Sequence, residues 1–237
     1  MPSLISLDEG ISFVDALISL ESAYIDPPAP SDNDKVIALR GASLVLMVAT
    51  FEDFLKQRMK EAIKYIDSYT SDHRYYEFDN LPDRLIINHF YLTVQYASTG
   101  SGYDGKKKAE RIKDIKSAAI DIAANRLDAE AFAVTRGNPN PETLKELLKN
   151  IGISEVFDTL APIYEIISNS KIAQTFIHDK LESLIKLRNK VAHTGKTTGI
   201  ARKDVNDFRD FIYFLSLAID EVLKNHCESV VLACKKL

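Results

Sequence analysis

Apolar residues recur at every third or fourth position along most of the chain, and this spacing predicts α-helices. The longest such segment runs from about residue 35 to residue 68. Residues 42–50 within it are apolar nearly all round, as in the central helix of a bundle. Further helices are predicted at about 7–24, 82–97, 106–131, 141–150, 172–193 and 203–235, with short helical pieces between 153 and 168. No segment shows the alternating pattern of a β-strand, so the predicted fold class is all-α.

A proline-rich break from Asp26 to Asp34 follows the first predicted helix, for which we assign Ser6 as the N-cap. The sequence therefore predicts two parts: residues 1–30, an acidic N-terminal helix with its linker, and residues 31–237, the main helical domain. Residues 1–34 hold seven acidic residues and no Lys or Arg, so a total charge of −4 leaves +3 on the remaining residues. The overall acidity therefore does not exclude an RNA-binding surface.

The composition is that of an ordinary globular protein, with 46% hydrophobic and 27% charged residues. No apolar run reaches the roughly 18 residues that a membrane span requires, and no basic segment precedes an apolar one as in a secretory signal. Cys227 and Cys234 fit reduced thiols in the cytoplasm better than a disulfide. No zinc-ligand spacing and no phosphate-binding glycine loop occurs, so we predict neither a metal nor a cofactor.

The stretch LIKLRNKVAHTG, from Leu184 to Gly195, carries the candidate chemistry. Arg188 stands where an apolar stripe on the helix predicts an apolar residue, and a buried guanidinium needs an anion or fixed acceptors. Asn189 and His193 are four residues apart and share a flank of the helix end, where the dipole favours a charged imidazole. We expect Gly195 to end the helix. The predicted stripe consists of Ile177, Leu181, Leu184, Ile185, Val191 and Ala192.

An arginine near a helix end often caps carbonyl groups and a single histidine often only packs, so spacing alone leaves a structural role open. The pattern Arg188-Asn189-x3-His193 resembles the R-x4–6-H motif of the HEPN superfamily (higher eukaryote and prokaryote nucleotide-binding domains), in which a polar residue typically follows the arginine. The segment from Arg40 to Lys56 is similar to the long first core helix of stand-alone prokaryotic HEPN proteins. The resemblance covers about residues 35–235. It implies an antiparallel helical bundle whose motif helix and last helix form a hairpin.

The resemblance also implies a reaction and an assembly. HEPN ribonucleases cut RNA without a metal: the 2′-hydroxyl attacks the phosphate and leaves a 2′,3′-cyclic phosphate. By this resemblance His193 transfers protons, Arg188 stabilises the charged phosphorane, and Asn189 belongs to the same site. Members of the superfamily dimerise through the motif face, so that two motif copies line one cleft. We therefore expect a homodimeric endoribonuclease from a toxin or phage-defence system, with RNA as substrate and an antitoxin or defence protein as a potential partner.

Other residues are candidates for supporting or RNA-binding roles. Arg40 and Glu52 are polar positions on the long helix, and Glu52 is expected to face either the core near Arg188 or solvent. Lys190 lies inside the motif. A basic run opens the helix predicted at residue 106, where the helix dipole disfavours cations, so phosphate contact is a hypothesis beside a solvated face. Its members are Lys106, Lys107, Lys108 and Arg111.

Two alternatives to the enzyme remain open. One is a HEPN-like module that binds RNA or a nucleotide without cutting it. The other is a structural helical partner in which Arg188 and His193 stabilise a dimer. HEPN toxins that pair with nucleotidyltransferase antitoxins carry a tyrosine four residues after the histidine, whereas this chain has Thr197 there. Regulation by adenylylation at that position is therefore not predicted.

Overall fold

The computed structural model describes residues 1–70, 75–98, 107–135, 137–195 and 199–236. Within these ranges the chain forms α-helices and one short 3-10 helix, Phe78–Asn80, with no β-strand, so the all-α prediction is confirmed. No helix in the described ranges combines the length and the apolarity needed to cross a bilayer. The α-helices are α1 (Pro2–Ser22), α2 (Asn33–Thr70), α3 (Asp83–Ser98), α4 (Lys108–Ala123), α5 (Ala129–Phe132), α6 (Pro141–Asn150), α7 (Val156–Ser168), α8 (Phe176–Thr194) and α9 (Arg202–Ala233).

Packing divides the chain into two compact units. Unit 1 comprises Met1–Gln57, Thr135–Lys145 and Glu155–Val222, and unit 2 comprises Arg58–Val134, Glu146–Ser154 and Leu223–Leu237. The predicted division of the chain at residue 30 stays a prediction. α1 and the motif helix α8 both belong to unit 1, so the contacts of the acidic N-terminal segment are described together with those of the motif helix.

In unit 1, α1 begins earlier than the sequence suggested, because Pro2 rather than Ser6 opens the helix. Proline suits a first helical turn, where its missing N–H would have no partner. Ser6 lies inside the helix, and its hydroxyl donates to Asp53 of α2 at 2.8 Å. Gly10 approaches α2 so closely that a Cβ at this position would collide with the side chain of Thr50. α1 is therefore packed directly on α2 through a residue without a side chain.

The predicted C-terminal hairpin of unit 1 is formed by α8 and α9. The ring of Phe176 on α8 packs edge-on against Phe211 on α9, with 5.8 Å between the ring centroids. The ammonium group of Lys180 on α8 lies 4.5 Å from the ring centre of Phe208 on α9. The two contacts follow opposite order along the two helices, as an antiparallel pair requires. α7 also packs against α8.

The motif helix α8 starts at Phe176, later than the predicted start at Ile172. α7 ends at Ser168, and the next residue, Asn169, adopts the left-handed backbone conformation. The carboxylate of Glu165 then holds the connecting segment, because it accepts from the backbone N–H of Ile172 at 3.0 Å and from Lys171 at 2.7 Å. These contacts lower the pKa of Glu165, with Lys171 as the main cause. Residues 172–175 are thus the end of a fixed loop and not the first turn of the helix.

In unit 2, the continuous helix predicted over 106–131 is wrong over residues 124–128, since α4 ends at Ala123 and the short α5 starts at Ala129. Asn125 has a positive φ of 56°, which ends the helical path. The backbone N–H of Leu127 then donates to Asp67 at 2.7 Å. Asp128 caps α5 by accepting from the backbone N–H of the second helical residue. Side-chain acceptors therefore replace the helical hydrogen bonds over the break.

Cys227 and Cys234 are buried free thiols of unit 2. Burial raises the pKa of Cys227 to about 11 and also raises the pKa of Cys234. The thiolate is the reactive form of cysteine, so neither residue has the chemistry of a nucleophile.

Candidate active site at the end of helix α8

Helix α8 carries a buried apolar stripe that ends one turn before the motif. Its buried members are Ile177, Leu181, Leu184 and Ile185. The stripe predicted from the sequence continues to Val191 and Ala192, but Val191 is only half-buried and Ala192 is exposed. Arg188 occupies the next position of the stripe in the helical spacing. The buried apolar residues therefore end before Arg188, and the motif begins there. The last turn of α8 is therefore presented to solvent.

Arg188 is half-buried, and its Nε atom is enclosed by protein without a hydrogen-bond partner among the described residues. Its Nη1 donates to Oδ1 of Asn189 at 3.2 Å. An enclosed N–H with no acceptor is unfavourable, because a buried donor loses its bond to water. The motif arginine thus holds an unused hydrogen-bond donor, which an anion could satisfy.

The other described arginines of unit 1 have carboxylate partners, which Arg188 lacks within the described ranges. Arg40 pairs with Glu21 and Asp26, Arg202 pairs with Glu21, and Arg209 pairs with Asp15. Arginine is always charged at physiological pH. Among the described arginines of unit 1, Arg188 is therefore the one whose charge no described carboxylate neutralises.

Asn189 is half-buried and accepts two hydrogen bonds on one atom. Its Oδ1 receives Nη1 of Arg188 at 3.2 Å and Nδ2 of Asn138 at 2.8 Å. Asn138 lies in the turn before α6, far from the motif in sequence. Sequence reasoning missed it, since nothing in the asparagine- and proline-rich turn indicates which helix it contacts.

His193 lies in the last turn of α8 and its side chain is exposed. Gly195 ends the helix as predicted, with a positive φ of 65° and its N–H donating to the carbonyl of Val191 at 2.7 Å. The five-residue step from Arg188 to His193 corresponds to about 140° around the helix and about 7.5 Å along its axis. The negative end of the helix dipole lies at this terminus and favours cations there. One helix end therefore presents a guanidinium, an amide and an imidazole.

Arg40 does not join this group. It is buried in a network in which it donates to Glu21 at 2.8 Å and to the backbone carbonyl of Ile200 at 2.7 Å. Arg202, the first residue of α9, donates to the other carboxylate oxygen of Glu21. The network fixes the segment where the chain enters α9 after the motif loop. Arg40 thus supports the hairpin rather than contacting the motif side chains.

Glu52 is also engaged away from the motif arginine. Its Oε1 accepts from Lys56 at 2.6 Å and from the hydroxyl of Thr135 at 2.9 Å. The side chain is one-quarter exposed, and no contact with Arg188 is present among the described residues. The bond to Thr135 ties α2 to the segment that leads toward Asn138.

The basic candidates are distributed over both units. Lys190 is exposed on the motif helix of unit 1. Lys107 and Lys108 are exposed at the start of α4 in unit 2, whereas Arg111 donates to the carbonyl of Ala97 at 2.9 Å. Lys106 and Thr197 lie outside the described residues. In the described ranges no group of three or more His, Cys, Asp or Glu side chains is arranged to hold a metal ion.

The family model described as RiboL-PSP-HEPN matches residues 12–225, which is most of the chain. The protein is a member of the HEPN superfamily. The match extends from the middle of α1 through α9 and includes the motif at the end of α8. HEPN domains are ribonuclease-like or nucleotide-binding modules, and this chain belongs to that class. The searches of curated proteins and of solved structures gave no match to this chain.

Proposed function

We propose that this HEPN protein is a metal-independent endoribonuclease that cleaves RNA through attack of the 2′-hydroxyl group. The observation that supports this most directly is the combination of Arg188 and His193 at one exposed helix end. Arg188 has an enclosed Nε without a described partner and no described carboxylate to neutralise it. A phosphodiester oxygen would supply both the acceptor and the negative charge.

In the proposed reaction the RNA supplies its own nucleophile. The 2′-oxygen forms a bond to phosphorus while the bond to the 5′-oxygen breaks, which gives a 2′,3′-cyclic phosphate and a 5′-hydroxyl. One general base takes the proton of the 2′-hydroxyl, and one general acid protonates the leaving 5′-oxygen. Histidine is the side chain that exchanges protons near neutral pH. Arg188 and the Nδ2 group of Asn189 stabilise the negative charge that grows on the phosphorane oxygens.

The two proton transfers motivate the proposal of a homodimer. A single His193 would have to act as base on one side of the phosphorus and as acid on the other. A two-fold axis near the end of α8 would bring two copies of the motif to one phosphate. Arg188 and its symmetry mate would repel each other until an anion lay between them. A bound phosphate should therefore stabilise the dimer by mass action.

Lys190 and the exposed lysines Lys107 and Lys108 are proposed to attract the RNA backbone, which carries one phosphate per nucleotide. The cellular setting that we propose is a toxin or phage-defence system in the cytoplasm, with an antitoxin or defence protein as partner. This part of the proposal rests on the HEPN motif and not on a contact surface.

The test is incubation of the purified protein with mixed cellular RNA in EDTA. His193→Ala should lower the cleavage rate by about 10²–10⁴, the usual effect of removing a general acid–base group. Arg188→Ala should abolish cleavage while helical content stays near that of the wild type. The matched controls are His178→Ala and Lys186→Ala, which remove a histidine and a cation from exposed ion pairs on the same helix. Cleavage by His193→Ala at the wild-type rate would refute the proposal that this site is catalytic.

Product analysis separates this reaction from a metal-dependent one. Fragments should end in cyclic phosphate and 5′-hydroxyl, and light scattering should give about 53 kDa, twice the chain mass of 26.6 kDa. A strict requirement for Mg²⁺ or the appearance of 5′-phosphate ends would show that another site performs the chemistry. Full activity in a monomer at micromolar concentration would contradict the two-chain site.

The alternative is a HEPN module that binds RNA or a nucleotide without cutting it. One observation favours it: His193 is exposed and no described residue holds its ring by a hydrogen bond. In a catalytic base the ring is commonly oriented by a third group. The wild type would then bind RNA in an Arg188-dependent manner, and the RNA would stay equally intact with the wild type and with His193→Ala. That result would identify the protein as a binding module.

A further inference from the structure

Asn138 reaches the motif from a distant part of the chain. It lies in the turn that connects residue 137 to the start of α6 at Pro141. Its Nδ2 donates to Oδ1 of Asn189 at 2.8 Å, across 51 positions of sequence, and the contact is partly buried. This is a side-chain bond between the polar residue of the motif and another segment of unit 1.

The direction of this hydrogen bond is fixed by chemistry. A guanidinium has donors and no acceptor, so the atom of Asn189 that contacts Arg188 must be its carbonyl oxygen. The atom of Asn138 that contacts the same oxygen must then be its amide nitrogen. Asn138 is therefore the donor and Asn189 the acceptor of this bond. The contact with Arg188 determines this assignment, because the nitrogen and the oxygen of an amide look alike in shape.

The two bonds determine what Asn189 can offer to a ligand. Its Oδ1 has two lone pairs, and both are used by Asn138 and Arg188. Its Nδ2 has no partner among the described residues and is not one of the fully enclosed unpaired atoms. Rotation of the amide by 180° would break both bonds at once. Asn189 is thus held as a donor, next to the unused Nε donor of Arg188.

The turn that carries Asn138 is itself held in place. The carbonyl of Asn138 accepts from the N–H of Asn140 at 2.7 Å and from the hydroxyl of Thr143 at 3.2 Å. Asn140 caps α6 by accepting from the N–H of Thr143 at 2.8 Å. Gly137 has a φ of 141°, a conformation that side chains disfavour. The backbone of Asn138 is therefore fixed by the first turn of α6.

We propose that Asn138 is a positioning residue of the phosphate site: it holds the amide of Asn189 so that the site presents only donors. A cradle of donors selects a phosphate oxygen and rejects groups that must themselves donate, such as an exocyclic amine of a base. Asn138 acts through Asn189 and does not touch the reacting atoms. This inference rests on the proposed function, because the phosphate is taken to be that of RNA.

The decisive variant is Asn138→Asp, compared with Asn138→Ala. The new carboxylate cannot donate to Oδ1 of Asn189, so the amide rotates to donate to it, and the added anion neutralises Arg188. Loss of one transition-state donor typically lowers kcat by about 10²–10³, and we expect at least 10²-fold for Asn138→Asp with KM changed less. Asn138→Ala leaves Asn189 free to adopt either orientation and should lower kcat by less. If Asn138 had a purely structural role, Asn138→Ala would lower kcat more than Asn138→Asp, because the aspartate keeps a hydrogen bond and the alanine keeps none.

Asn140→Asp is the matched control. It adds the same charge two positions away, and aspartate is as good a helix N-cap as asparagine. Its cleavage rate and melting temperature should equal those of the wild type. An independent readout is the rise in melting temperature on addition of inorganic phosphate. That rise should persist in Asn140→Asp and disappear in Asn138→Asp.

The outcomes separate this inference from the proposed function. If the wild type cleaves RNA and Asn138→Asp cleaves and binds phosphate equally well, the positioning role is wrong while the ribonuclease stands. If the wild type does not cleave RNA, the ribonuclease is wrong, and the phosphate shift alone decides the role of Asn138. Should Asn138→Asp fail to fold, Asn189→Asp replaces it, since a carboxylate there still accepts both bonds but cannot donate. Unchanged phosphate binding by Asn189→Asp would overturn the inference.

Discussion

The buried carboxylate of Glu21 allows a stability prediction that can be worked from the structure. Glu21 is 2% exposed on α1. Its Oε1 accepts from Nε and Nη2 of Arg40 at 2.8 and 2.5 Å, and its Oε2 accepts from Nε of Arg202 at 2.5 Å. Arg202 also donates to the backbone carbonyl of Tyr24 at 2.6 Å. One carboxylate thus joins α1, α2 and the first turn of α9.

Glu21→Gln keeps the shape of the side chain and removes its charge. The amide can accept from one arginine, but its NH₂ group then faces the donors of the other. Removing one partner of a buried ion pair typically costs about 3–5 kcal/mol. Arg40 keeps Asp26 at 2.9 Å, and the side chain of Arg202 is 26% exposed and can regain water. The expected loss is therefore at the lower end, about 3 kcal/mol.

Urea unfolding followed by far-UV circular dichroism measures this loss. With a slope near 3 kcal/mol per molar urea, the midpoint should fall by about 1 M. Asp15→Asn is the control, because it breaks a pair with Arg209 whose side chains are 45% and 25% exposed. Exposed pairs contribute about 0–1 kcal/mol. A midpoint shift for Glu21→Gln no larger than that of Asp15→Asn would refute the assignment of Glu21 as the shared counter-charge.

Three further predictions concern Gly10, His89 and Cys227. Gly10→Ala should destabilise the protein by about 1–3 kcal/mol through its collision with Thr50, and Thr50→Ala in the same chain should recover part of the loss in urea unfolding. Burial lowers the pKa of His89 despite nearby carboxylates. Because the unfolded chain then binds the proton more readily, stability should fall as pH drops below about 6.5, and by less in His89→Gln. Cys227, whose pKa burial raises to about 11, should react with iodoacetamide at pH 8 only after unfolding, as mass spectrometry can show.

The sequence predicted the helices well because their signals are local. The apolar spacing located α2, α8 and α9, and Gly195 marked the end of the motif helix through the left-handed conformation that glycine favours. The errors arise where contacts between distant residues decide the structure. The sequence pattern over residues 106–131 stays helical in character, but Asp67 provides an acceptor for the N–H of Leu127 and makes the break near Asn125 favourable. An acceptor 60 positions away cannot be read from periodicity.

The candidate site was predictable only in part for the same reason. The positions of Arg188, Asn189 and His193 on one helix follow from the spacing of the motif. The contact that Glu52 makes could not be predicted from the sequence, because its partner Thr135 lies 83 positions away. The contact of Asn138 with Asn189 likewise depends on how the turn before α6 meets α8. Pairings between distant segments are fixed by the packed unit and leave no pattern in the chain.

The acidic N-terminal segment takes on a specific role once these pairings are known. In the sequence, residues 1–34 carry seven acidic residues and no Lys or Arg, so the negative charge is concentrated there. In the folded unit, three of its carboxylates neutralise arginines of α2 and α9: Asp15 with Arg209, Glu21 with Arg40 and Arg202, and Asp26 with Arg40. The segment therefore acts as internal counter-charge for these three arginines. Arg188 receives none of these acids within the described ranges, and in the proposed function an anionic ligand supplies the acceptor that its guanidinium requires. A phosphodiester fits that requirement, since its oxygens accept from a guanidinium and an amide together.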